Sequence, residues 1–242
     1  MFYNSLVVEA PLFDTSNVTD MQYMFCICHK LTTVPLYNTN KVENMSHMFR
    51  DCSNLITVPQ LDTSNVTTME HMFSNCYSLT TVPALNTTKV LNASNMFYQC
   101  VIMTQLPPID TSTISNLYRF AAYCKILPEA TINTNAATNI QALVENCYLL
   151  EKLDLTSTDA ITTSYNGFNS TCSQCHSLKK LIIRNMTKVP PIYASADNYG
   201  SPFKQCYHFT GTVDATYNPD GLQDGRIYVP DAMVDALKTA TH

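Results

Sequence analysis

The chain has 242 residues, 45% of them hydrophobic, 14% charged, and a formal net charge of −5. So charge-poor and acidic a composition argues against sequence-independent binding to DNA or RNA, which needs clustered Lys and Arg to displace counterions. No run approaches the roughly 20 consecutive apolar residues of a membrane span, and five glycines leave little room for phosphate-cradling loops.

The first residues, Met1-Phe2-Tyr3-Asn4-Ser5, lack the basic and apolar stretches of a secretory leader. They fall instead in register with Met24-Phe25, Met48-Phe49, Met72-Phe73 and Met96-Phe97. The expectation is a chain that begins in mid-array, so the missing leader says little about compartment.

Cysteine sets the period. Cys28, Cys52, Cys76, Cys100, Cys124 and Cys147 are spaced 24, 24, 24, 24 and 23 residues apart. Stacked coils place the same residue at the same point of a shared core. In-register parallel strands lie about 4.8 Å apart with side chains pointing the same way, whereas a disulfide wants Cβ atoms about 3.8 Å apart. The ladder is therefore read as reduced, buried thiols that pack as small hydrophobes. Cys26 and Cys172 stand off it and are the candidates for a different redox state.

The unit from Met48 to His71 carries Met48, Phe49, Cys52, Leu55, Val58, Pro59, Leu61, Asp62, Thr63, Ser64, Val66 and Met69, and its neighbours repeat most of these positions. Val66, Met69, Phe73, Cys76 and Leu79 are spaced 3, 4, 3 and 3 residues apart, one face of a helix. Asp62, Thr63 and Ser64 precede them, where oxygens cap a helix start. Leu79-Thr80-Thr81-Val82-Pro83 predicts a short strand ending near the proline, which cannot donate to a ladder. The fold class expected is α/β: a solenoid with one short parallel strand and one short helix per coil of about 24 residues.

Beyond Leu117 the pattern decays. Residues 1–150 form the regular array; 151–242 hold irregular repeats and a C-terminal cap of the same solenoid. Cys175 and Leu178 restore the Cys-x-x-Leu spacing after an insertion that includes Gly167, and residues 193–200 form a longer one before Phe203 and Cys206. Insertions project loops, which often carry binding function. Ile227-Tyr228-Val229 predicts a strand, and Pro230 or Asp231 opens a helix with Met233, Val234 and Leu237 on one face.

Asp-Thr-Ser-Asn-Val-Thr-x-Met-x-x-Met-Phe, at Asp14 to Phe25 and nearly so at Asp62 to Phe73, followed by Cys-x-x-Leu, resembles the BspA-type leucine-rich repeats of bacterial surface proteins. The likeness covers roughly residues 1–150, and 227–237 resembles the cap that closes such arrays in gut Firmicutes and their phages. It implies a leucine-rich-repeat-like array at the cell surface or secreted, without catalytic residues. It implies as partner a protein or glycan on a host or neighbouring cell, with no nucleic acid and no membrane insertion by this segment. A phage or prophage tail component in a virion, or the targeting arm of a larger enzyme, are the alternatives.

Other chemistries find little purchase. Cys172-Ser173-Gln174-Cys175-His176 has the form of covalent haem attachment, but Cys175 already has a ladder role, and Cys26, Cys28 and His29, the other close Cys/His group, lie six coils away. No cofactor or metal is expected. His47 and His71 share a column with Tyr23, Asn95 and Arg119, read as solvent-facing rather than as a metal or pH site. The sequons at Asn17, Asn65, Asn86 and Asn169 follow from the Asn-Thr-rich repeat. No nucleophile–base pair presents itself, and nothing selects Asp154 and Asp159 as paired acids, so no enzyme is expected. The candidate binding residues are the outward column Thr33, Thr57, Thr81 and Gln105, hydroxyl-rich and uncharged; the plainer reading is that Thr suits an exposed strand. The ladder cysteines, through Cys175 and Cys206, are structural.

Overall fold

The computed structural model describes residues 2–157 and 169–184, together with two short strands further along. Cys206, the insertion at 193–200, Gly167, Asp159 and the cap beyond Tyr228 lie outside the described residues.

Backbone N–H groups must find partners, and each coil provides them in two alternating ways. Met48, Arg50 and Cys52 donate three residues back, to the carbonyls of Met45, His47 and Phe49 at 3.2, 3.2 and 3.1 Å. His47, Phe49 and Asp51, between them, donate to the next coil, to Glu70, Met72 and Ser74 at 2.8, 3.0 and 2.8 Å. A helix would send every N–H four residues back along its own chain. Here half of the donors are committed to a neighbour 23 residues away, and no helix occurs among the described residues. The predicted short helix is therefore corrected to a run of tight turns.

Two left-handed residues per coil make those turns. His47 (φ 58°) and Asp51 (φ 61°) repeat as Tyr23 and Ile27, His71 and Asn75, Asn95 and Gln99, Arg119 and Tyr123. Each is the third residue of a turn closed by an i→i+3 hydrogen bond, where type II turns need positive φ. Non-glycine residues pay for this conformation with strain, and the inter-coil hydrogen bonds hold them there. The turns also explain the misleading period: they aim Val66, Met69, Phe73, Cys76 and Leu79 at the core, all 0% exposed.

Asp62 does accept a corner hydrogen bond, from the Ser64 N–H at 3.0 Å, as Asp14, Asn38, Asn86 and Asp110 do from the residue two on. These are Asx turns rather than helix caps. Thr63 turns inward and donates to the Asn86 carbonyl at 2.9 Å; Thr15, Thr39, Thr87 and Thr111 do the same one coil on.

Proline decides where strands form. In the coils that carry Pro35, Pro59, Pro83 and Pro107, the sheet side holds only isolated parallel bridges, Glu9↔Thr33, Thr57↔Thr81 and Leu85↔Ile109. The strand predicted around Leu79–Pro83 is thus a single bridge at Thr81. Continuous strands start once the proline moves ahead of the segment, at Pro128, or drops out: β1 Glu129–Thr134, β2 Lys152–Ser157 and β3 Lys180–Arg184. With β4 Thr212–Asp214 and β5 Arg226–Tyr228 they form a parallel sheet of order β1-β2-β3-β5-β4. Ala130 pairs with Leu153 and Leu153 with Leu181, so the coil lengthens from 23 to 28 residues there. Ile227 and Tyr228 lie in β5, within the segment predicted as a strand.

The core is a set of ladders. Phe25, Phe49, Phe73 and Phe97 stack with centroids 5.7, 5.6 and 5.7 Å apart and rings nearly parallel. At the fifth coil large and small residues exchange places. Phe97 donates its N–H to Phe120, as Phe73 does to Met96, so Phe120 takes the methionine position and Ala121 that of phenylalanine. The Phe120 ring meets Phe97 edge-on at 5.4 Å, which keeps the core filled.

Stacking also constrains charge, because a residue meets its own equivalent about 4.8 Å away. The exposed corner column reads Asp14, Asn38, Asp62, Asn86, Asp110, and three residues on it reads Asn17, Lys41, Asn65, Lys89. Like charges are held two coils apart, and Lys41 and Lys89 donate to Asn17 and Asn65 at 2.8 and 2.6 Å. Asn38→Asp places a third carboxylate between those of Asp14 and Asp62. A lower melting temperature is expected at low salt, largely recovered near ~1 M salt. Thermal unfolding at two ionic strengths checks it; a salt-independent loss would exclude charge as the cause.

Candidate binding face

The sheet side presents Thr33, Thr57, Thr81 and Gln105, all exposed, at equivalent points of four successive coils. Alternation makes the face: the next residues, Val34, Val58 and Val82, are buried. Bridges at Glu9↔Thr33 and Thr57↔Thr81 fix the line, and the Thr57 hydroxyl donates to the Thr81 carbonyl at 3.5 Å. Exposed Val8, Leu12, Leu36 and Ile56 flank the column. Two grooves open beside it. One, of about 510 Å³, lies along Gln60, Leu61, Ala84 and Leu85; the other, of about 500 Å³, lies along Gln105, Pro107, Pro108, Glu129 and Lys152.

The ladder cysteines lie in the core, away from this face. The thiols of Cys26 and of the ladder from Cys28 to Cys147 are buried and outside any disulfide. Each ladder thiol donates to a carbonyl of the preceding coil: Cys28 to Phe2 at 2.9 Å, Cys52 to Phe25 at 3.0 Å, Cys76 to Phe49 at 3.1 Å, Cys100 to Phe73 and Cys124 to Phe97 at 3.3 Å, Cys147 to Ala121 and Cys175 to Val144 at 3.2 Å. Cysteine recurs because the place needs a small, mostly apolar group with one donor. Burial pushes the thiols from Cys28 to Cys147 up, Cys124 to about 12, and off-ladder Cys26 to about 11, so they are thiols rather than reactive thiolates. Cys172 is also buried, one turn before Cys175, and His176 stacks on Tyr148 at 5.0 Å.

The opposite, turn side carries the histidine column, and here the structure corrects the solvent-facing expectation. His47 is 9% exposed and His71 half-buried. Their rings stack at 4.8 Å, and Tyr23 stacks on His47 at 4.6 Å. The positive-φ turns fold these rings against the backbone. Nδ1 of both histidines lacks a hydrogen-bond partner. Arg50 pairs with Asp51 at 3.1 Å, Asn75 donates to Asp51 at 2.6 Å, and Glu70 accepts from Asn92 and Ser94 at 3.3 and 3.4 Å. No group of three or more metal-ligating side chains occurs among the described residues.

Burial, then repulsion from His47 and Arg50, lowers His71 to about 4, against which Asp51 acts weakly; burial and Arg50 lower His47 too, with Glu70 and Asp51 opposing. A histidine held neutral in the fold is charged first in the unfolded chain. Stability is therefore full above about pH 6.5 and falls as pH drops toward 4. Allowing for partial exposure, the loss attributable to His71 is on the order of 2 kcal/mol. Denaturant unfolding between pH 7 and 4.5 should show this slope, and His71→Gln should flatten it; an unchanged slope in the variant would assign it elsewhere.

Further along, Arg119 lies over Tyr118 and Tyr98 at 5.3 and 5.8 Å and 3.9 Å from Glu145. Burial raises Glu145, with Arg119 opposing. This cluster escaped the sequence reading because Tyr98, the adjacent pair Tyr118 and Arg119, and Glu145 come from three successive coils rather than from one column. No helix of the described residues is long and apolar enough to cross a membrane.

The chain is similar to a leucine-rich repeat protein from Bacteroides ovatus ATCC 8483, at 18% identity and a TM-score of 0.37, covering 96% of this chain and 63% of that one. It is also similar to a leucine rich cell surface protein from Faecalibacterium prausnitzii A2-165, at 16% identity and a TM-score of 0.30, covering 94% and 81%. The chain thus spans about two thirds of the first and four fifths of the second. No curated protein matches. A family model matches residues 1–108 and again 30–131, the part that holds the cysteine column from Cys28 to Cys124 and the phenylalanine stack from Phe25 to Phe97. With more than half of its length so matched, the chain belongs to the family described as Mycoplasma protein of unknown function, DUF285.

Proposed function

We propose that the chain is a non-catalytic recognition module of a cell-surface protein, whose sheet face adheres to a protein or glycan on a host or neighbouring cell. The observation that carries this reading is the line of exposed, uncharged side chains at Thr33, Thr57, Thr81 and Gln105, held at a fixed repeat by the stacked coils beneath. A rigid periodic row of hydroxyls loses little conformational freedom on binding an extended ligand. The flanking apolar residues Leu36 and Ile56 add area that gains from being covered. The chemistry suits adhesion through many weak contacts, without a reaction.

The test is binding of the intact chain to arrayed matrix proteins and glycans, beside a variant carrying Thr33→Lys, Thr57→Lys and Thr81→Lys. The expected result is binding that weakens at least about tenfold in the variant, read in salt high enough to screen the three stacked lysines, where melting should stay close to the parent's. Binding indifferent to the three changes, or no binding to any probe, would sink the proposal.

A further inference from the structure

We propose that the groove between the fourth coil and β1 takes an extended peptide segment of a partner protein, held edge-on through its main chain. This deepens the reading of the chain as a recognition module by naming a ligand class and its place.

The sheet side is laced by a regular rung: Thr32 donates to Val8 at 3.0 Å, Ile56 to Thr32 at 3.2 Å, Thr80 to Ile56 at 3.1 Å. At the fourth coil the rung stops. Thr104, its next member, donates to no backbone carbonyl, and Pro128, one coil on, has no N–H to offer the Thr104 carbonyl. Thr104 and Gln105 are exposed, and no backbone hydrogen bond or bridge joins residues 104–107 to either neighbouring coil. On the far side of the gap, β1 pairs only with β2 and is the sheet's edge. The groove of about 500 Å³ lies over this gap.

Such a row of unpaired N–H and C=O groups recognises another main chain in extended form, as strand addition does. Half-buried Leu106 and Ile109 line the groove for alternate apolar side chains. Glu129 and Lys152 sit side by side in register and neither forms an ion pair. They set opposite charges at the lip, so a segment with a basic residue facing Glu129 and an acidic one facing Lys152 is favoured. The groove of similar size near Gln60 lacks these features: the Gln60 amide donates to the Ala84 carbonyl at 2.7 Å, and Leu85 donates to Pro108 at 3.3 Å.

The probe is a library of random peptides of about twelve residues, selected on the intact chain, followed by one synthetic winner. In hydrogen exchange, amides of residues 104–106 and the free edge of β1 should exchange rapidly in the unbound chain and slow at least about tenfold with peptide. N-methylation of alternate peptide amides should abolish binding, and Gln105→Trp should weaken it about tenfold while Lys41→Ala, on the corner column away from the groove, leaves it unchanged. Peptides that protect other coils, or that tolerate N-methylation, would overturn the proposal. So would binding of matrix proteins or glycans along the threonine column with no peptide bound, which would leave the recognition reading standing; no binding by any probe would sink both.

Discussion

Cys76→Asp is expected to unfold the middle of the stack. The thiol is 0% exposed, donates to the Phe49 carbonyl at 3.1 Å, and lies in a column of cysteines. A carboxylate there is fully buried and faces a carbonyl oxygen, so it must be buried charged or carry a proton that costs free energy to hold. The loss should be about 4 kcal/mol or more. Cys76→Ala calibrates it. The Phe49 carbonyl keeps its bond from the Cys52 N–H at 3.1 Å, so only the thiol bond and a small volume go, for about 1–2 kcal/mol. Because each coil contacts mainly its neighbours, the Asp variant should also split a single unfolding transition into two. Thermal and denaturant unfolding read both quantities. An Asp variant that melts close to the parent would mean the ladder is not buried.

The second large effect is at Phe73, whose ring lies 5.6 Å from Phe49 and 5.7 Å from Phe97 with no exposure. Phe73→Ala leaves a cavity that its neighbours cannot close, because both are held in register by inter-coil hydrogen bonds. About 3–5 kcal/mol should be lost. The fifth coil suggests the rescue. There Ala121 occupies the phenylalanine position and Phe120 supplies the ring from the methionine position. Combining Met72→Phe with Phe73→Ala copies that exchange and should recover at least about half of the loss, a coupling expected of residues sharing one cavity. Additive losses in the pair would show that the swap depends on features of the fifth coil alone.

Much of the architecture was legible in the sequence because stacking imposes one period on every position. The 24-residue interval placed Cys28 to Cys147 in one column, the valines before each proline inward, and Thr33, Thr57 and Thr81 outward. The alternation of Asp14, Asn38 and Asp62 was printed there as well, although its reason needs the inter-coil distance. The helix was not legible. Spacings of 3 and 4 residues satisfy a helix and a succession of β-turns equally, and the two differ only in where the N–H groups go. Those of Phe49 and Asp51 go to residues 23 away, a partnership that exists only once a second coil is stacked on the first.

The same cause hid the rest. Thr63 reads as a helix cap until the Asn86 carbonyl is beside it. His47 reads as exposed until the left-handed turn folds its ring against Tyr23 and His71. The gap at the fourth coil needs Pro128 set next to Thr104. By itself the sequence determined the repeat, the inward and outward columns and the poverty of charge, since these follow from composition at fixed intervals. Only the tertiary structure decided which backbone groups are paired and which are left open, because about half of those partners come from another coil.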